Sequence, residues 1–217
     1  MLNKHKLQRI AIATSAFLAF GTTQLIANAE TVTITGAIQG STCGLSSDVG
    51  TGTTESKTFT LPLGTVPLTT PPATSAAGTT FGTIQKLEFK LVAPGGGSAC
   101  TFTNGTAGWD MAIAPSKSGF ITTIGTSTFL SNMVDLASGG TNAVVRLTGG
   151  VGPQASAPSN EIALTEAGSF VSSQSAPFRA QAASAITLGA QFANPVANQK
   201  PSSGSYSSTL TVSVAYR

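Results

Sequence analysis

The sequence predicts an all-β domain, either a sandwich or a barrel. Three observations lead there. Thr, Ser, Gly, Val and Ala are enriched, with Pro scattered among turn residues, a composition that suits pleated strands and polar loops. Short runs of alternating apolar and polar residues, bounded by Gly, Pro, Asn and Ser, recur along the chain. No segment beyond the first 29 residues shows a capped apolar repeat of helical period.

In chain order the alternation predicts strands over Thr31 to Gln39, Lys57 to Leu61, Gly82 to Val92, Cys100 to Thr103, Trp109 to Ala114, Ala143 to Thr148, Ile186 to Ala193 and Tyr206 to Tyr216. The stretches "GTVPLTTPPATSAAGTT", from Gly64 to Thr80, and "GGVGPQASAPSNE" read as surface loops. Asn104-Gly105 suits a two-residue hairpin turn, because both residues tolerate positive φ. The same residues form a glycosylation sequon, which the turn reading does not require. Trp109 in a strand reads as core, with a ligand platform as the alternative.

Residues 1–29 read as an export signal. A basic start, "MLNKHKLQR", precedes an apolar run from Ile10 to Phe20 and the small-residue site Ala27-Asn28-Ala29, making Glu30 the expected first mature residue. The run stops short of the ~20 apolar residues that a membrane-spanning helix needs. No later segment comes closer, so no transmembrane segment is expected in the mature chain.

Three of the 11 basic residues, Lys4, Lys6 and Arg9, lie in that leader, which leaves eight against the eight acidic ones. The mature chain is therefore close to neutral and offers no basic face for nucleic acid or an anionic membrane.

Cys43 and Cys100 are the only cysteines. In an exported chain they read as one disulfide, contributing about 4 kcal/mol if unstrained. Metal binding is the competing reading, but two cysteines with no histidine nearby do not complete a tetrahedral site. The single histidine, His5, leaves with the signal, so the commonest general base is missing. Asp48, Glu55, Glu88, Asp110, Asp135, Glu161 and Glu166 are dispersed without a catalytic motif and read as solvated charges. "APGGGSAC" lacks the Lys-Ser/Thr ending of a phosphate cradle. No catalytic residue, metal or cofactor is expected.

The two ends of the mature chain stand out. In the last strand Leu210, Val212, Val214 and Tyr216 share one face and Thr209, Thr211, Ser213 and Ala215 the other. Near the start, Val32, Ile34, Gly36 and Ile38 share one face, opposite Thr31, Thr33 and Thr35. A free terminus is ordinarily polar and loosely ordered, and a glycine in phase with the apolar positions is unusual. It either permits close backbone approach at one pocket or marks a bend before the first core strand.

These features together resemble the pilins of chaperone–usher fimbriae, such as type 1 and P pili. The residues that carry the resemblance are the alternating "VTITGAIQGSTC" with its in-phase Gly36, the cysteine that follows, and a C-terminal alternating strand with Tyr216 penultimate and Gly204 fourteenth from the end. The interval from Cys43 to Cys100 is longer than in compact members of that family, which suggests an insertion around Gly64 to Thr80.

The resemblance implies an incomplete immunoglobulin-like β-sandwich, residues 41–217, whose last strand borders an open apolar groove. Residues 30–40 would be a donor strand that completes a neighbouring subunit, and Gly204, Leu210, Val212, Val214 and Tyr216 would mark the acceptor groove and the strand bound by a periplasmic chaperone. It further implies identical or related pilin subunits and an outer-membrane usher as partners, and a place in a surface fimbrium reached through the periplasm. The runner-up is a self-contained secreted β-sandwich that binds carbohydrate or a host protein; a hydrolase using carboxylates is the weakest alternative.

Overall fold

The computed structural model describes residues 31–38, 44–47, 56–66, 75–93, 108–151, 160–165, 179–181 and 185–216. Among these residues twelve strands form two sheets: β1 Thr31–Ile38, β2 Gly44–Ser47, β3 Ser56–Pro62, β4 Thr80–Val92, β5 Gly108–Pro115, β6 Ile121–Ile124, β7 Ser127–Leu130, β8 Val144–Val151, β9 Asn160–Glu161, β10 Arg179–Gln181, β11 Ile186–Ala193 and β12 Ser207–Tyr216. The sole helical element among the described residues is a 3-10 turn, Leu136–Ser138. The expected all-β architecture is therefore what the chain adopts.

One sheet runs β10-β5-β12-β1-β3 and the other β2-β4-β11-β8-β7-β6, with β9 added beside β8. Val32, Ile34, Leu61, Trp109, Met111, Ile113, Leu210 and Val212 from the first sheet join Leu87, Phe89, Leu91, Val145, Leu147, Ile186, Leu188 and Phe192 from the second in one buried cluster. Alternation produces this layer directly, because every second residue of a strand faces the partner sheet. Trp109 is fully buried in it.

Seven of the eight expected strands are found with ends shifted by three residues or fewer, and Ile186–Ala193 is found unchanged. The eighth, Cys100 to Thr103, lies outside the described residues, as do Asn104-Gly105, Cys43, Cys100 and the leader.

Two loop readings need correction. Gly149 and Gly150, placed in a loop by their composition, belong to β8, where they pair with Leu188 and Thr187 of β11. A central strand flanked by bulky neighbours accommodates glycine because its partners supply the ladder. The segment from Gly64 to Thr80 is anchored at both ends instead of lying wholly on the surface. Val66 is buried and stands where a Cβ on Gly82 would fall, 2.8 Å away. Ser75 is buried under the Asn194 amide, whose Nδ2 donates to the Ser75 hydroxyl at 3.0 Å. Gly82 meets the first contact by adopting a φ of +74°, open to a residue without a side chain.

Candidate functional site: the slot beside the last strand

Alternation in β12 is realised in full where its side chains are described. Leu210, Val212 and Val214 are buried, whereas Thr211 and Ser213 are exposed. One edge of β12 pairs antiparallel with β5, from Leu210 opposite Pro115 to Tyr216 opposite Trp109. The other edge is taken by β1, in parallel, with Val32 opposite Ser208, Ile34 opposite Leu210, Gly36 opposite Val212 and Ile38 opposite Val214.

The far side of β1 is walled by β3, antiparallel, which sets Leu61 opposite Val32, Phe59 opposite Ile34 and Lys57 opposite Gly36. β1 thus lies in a slot between β12 and β3, hydrogen-bonded on both edges. Val32 and Ile34 are each fully buried, worth about 3 to 6 kcal/mol together.

This corrects one expectation. The position beside the last strand is not an open groove in the single chain, because the chain's own residues 31–38 fill it. The physical reason is local. Ile38 stands beside Val214, at the end of the sandwich where β2 begins, since Gly44 pairs with Val92 at the end of β4. The end of β1 and the start of β2 therefore lie on facing sheets, roughly 10 Å apart. An amphipathic strand within such easy reach of two unpaired edges folds back onto them.

The start of β12 is held by a compact polar and glycine framework. The Asn132 amide donates from Nδ2 to the carbonyls of Thr141 and Ser205, both at 2.8 Å, and Oδ1 accepts from the backbone N–H of Val134 at 3.0 Å and of Ser207 at 2.9 Å. Tyr206, fully buried, donates its hydroxyl to the Leu130 carbonyl at 2.9 Å and meets the Phe192 ring edge-on at 5.5 Å.

Gly204, singled out from the sequence only by its place, has a concrete structural role. A Cβ there would lie 2.4 Å from the carbonyl carbon of Gly140 and 2.6 Å from the oxygen of Gly139. Ser205 and Gly140 form a bridge across this contact. The loop before β8 and the lead-in to β12 can touch only because both are glycine at that point.

Of the residues expected at the site, Val32, Ile34, Gly36 and Ile38 are brought into one ladder with Leu210, Val212 and Val214. Tyr216 continues β12 but lies beyond the end of β1, and Gly204 supports the site from outside. Sequence reasoning missed Asn132 and Gly140, and it placed β3 as a strand without assigning it as the second wall. Asn132 sits in "LSNMVD", which carries no pattern that would single it out.

The reading of the acidic residues as solvated charges needs correction at two positions, because Glu88 and Asp110 are buried in strands whose side chains alternate into the sandwich. Glu88 pairs with Lys90, and the half-buried Glu161 with Arg146 at 2.9 Å. No group of three or more His, Cys, Asp or Glu there could hold a metal, and no helix there is long and apolar enough to cross a membrane. Neither a family model nor a curated protein matches the chain.

Proposed function

We propose that this chain is a structural subunit of a surface fimbria that polymerises by exchanging β1 between copies and thereby supports adhesion. After export, a periplasmic chaperone would guard the slot and an outer-membrane usher would deliver the subunit to the fibre; the protein itself would need no catalytic residue. One observation carries the reading. β1 occupies an interior position in a sheet, and the other described elements all follow it in the chain, so it joins them at its Ile38 end. Such a strand can leave and be replaced without breaking any other element.

The direction of β1 adds support. β12 and β3 run antiparallel to each other, so any strand between them makes one parallel and one antiparallel ladder whichever way it points. Reversal also keeps Val32, Ile34, Gly36 and Ile38 in phase on the inward side. The chain's own segment is held in the parallel sense by its link. To reverse, it would carry Ile38 about 20 Å along β12, roughly all that a five-residue link reaches when fully extended. A β1 from a second copy has no such tether. Exchange in the same direction would only repeat the contacts of the closed chain, so the reversed entry is the one that makes a joint different from the closed chain.

The test is capture of a strand in trans. A fluorescent peptide, ETVTITGAIQG, incubated with the mature protein should become bound and co-elute with it, and the protein should form chains at high concentration. A protein that excludes the peptide and stays monomeric would contradict the proposal. The filled slot favours a second reading, a self-contained secreted module binding carbohydrate or a host protein, and that same negative outcome would support it.

A further inference from the structure

A cleft of about 520 Å³ opens at the end of the sandwich where β1 and β12 begin, lined by Lys117, Phe120, Asp135, Leu136, Asn142 and Pro195 among others. Its frame is rigid. Thr141 Oγ1 donates to the Ser202 carbonyl at 2.6 Å, the Ser202 N–H donates to Asn142 Oδ1 at 2.7 Å, and Asn132 ties the adjoining turn to β12. Its lining is mixed, polar at Lys117, Asp135 and Asn142 and apolar at Phe120, Leu136 and Pro195. Only three large hydrophobic side chains are exposed among the described residues, and two are here: Leu136, 58% exposed, and Val196, 43%, next to Pro195. The third, Val151 at 42%, ends β8 at the opposite end of the sandwich.

We propose that this cleft seats the opposite end of a second copy of the chain, with the partner's exposed Val151 directed toward Leu136 and Val196. The inference rests on the strand-exchange reading above and adds a second contact to it. A β1 that enters the slot reversed and in phase has its Ile38 end beside Ser208, so the body to which it is joined must lie against the cleft. That body arrives with the end that carries Val151. The contact is heterologous, one surface meeting a different one, and a heterologous contact that does not close on itself builds a filament. Leu136 and Val196 would then be covered at every joint except the last.

The test uses the mature full-length protein with Leu136→Asp, Val196→Asp or Val151→Asp. Each residue is exposed, so the melting midpoint of the monomer should stay within a few degrees of the parent. Capture of the free ETVTITGAIQG peptide, which has no body to dock, should be unchanged. Polymer formed at a given concentration, measured by sedimentation, should fall at least tenfold for each variant. Mixing Leu136→Asp with Val151→Asp should give short species, since each keeps one sound end. Normal peptide capture with undiminished polymerisation in all three variants would overturn the cleft contact. Failure of the parent itself to take up the peptide would instead remove the strand-exchange reading, and the contact with it.

Discussion

Ile34 lies directly opposite Leu210 in a parallel ladder, and both side chains are fully buried. This pair joins β1, the first described strand, to β12, the last. It sits at the centre of the slot, with Phe59 of β3 opposite Ile34 on the other side, so it is where the hold on β1 is most easily weakened.

Ile34→Ala should destabilise the closed chain by about 2 to 5 kcal/mol, the range for removing a buried aliphatic side chain. Urea denaturation would show this as a lower midpoint. Because the variant strand grips its own slot less well, it should also exchange faster for an added wild-type peptide.

Gly36→Leu should hinder the strand from seating, since Gly36 falls between Val212 and Lys57 in register. In a peptide version, ETVTITLAIQG should be captured at least tenfold more slowly than the parent peptide. Equal capture rates would mean that the glycine marks a bend and not a pocket.

Gly204→Ala should destabilise the fold by more than about 2 kcal/mol, because a new methyl group would meet the Gly140 backbone at 2.4 Å and backbone cannot swing aside. Gly140→Ala should do the same, as its Cβ would fall 2.2 Å from the Val134 carbonyl oxygen. Gly119→Ala, at a glycine of φ +83° with open space around it, is the control; its loss should be limited to the backbone strain of about 1 kcal/mol.

Asn132→Asp replaces the two amide donations with an acceptor facing the carbonyls of Thr141 and Ser205. A loss of about 2 to 4 kcal/mol is expected from the unsatisfied groups. Tyr206→Phe removes the hydroxyl bond shared between the carbonyls of Leu130 and Ser131 and should lose about 1 kcal/mol. Thermal melts of the two variants side by side would rank them.

Much of the fold was legible in the sequence because its strands are long enough for alternation to show. The sequence of β12 alternates over ten residues, with Ser208, Leu210, Val212 and Val214 buried, and β1 alternates at its start, with Val32 and Ile34 buried. The hairpin of β6 and β7 was not legible. Its strands are four residues each, and their polar content, "ITTI" and "STFL", matches that of loops. The apolar faces of the site were visible for the same reason as the strands.

What supplies the occupant of the slot was not visible, since periodicity states which side of a strand is buried but not against which molecule. Nor was Asn132, whose importance arises from four backbone groups brought together by distant parts of the chain.

The most direct measurement is the melting midpoint of the mature protein lacking residues 30–40, alone and with a saturating amount of ETVTITGAIQG peptide. A slot that requires a strand but accepts it from another molecule should give a low midpoint alone and a rise of ten degrees or more with the peptide. The same midpoint in both samples, close to that of the full-length protein, would mean the sandwich is stable without a strand between β12 and β3, contradicting the central claim.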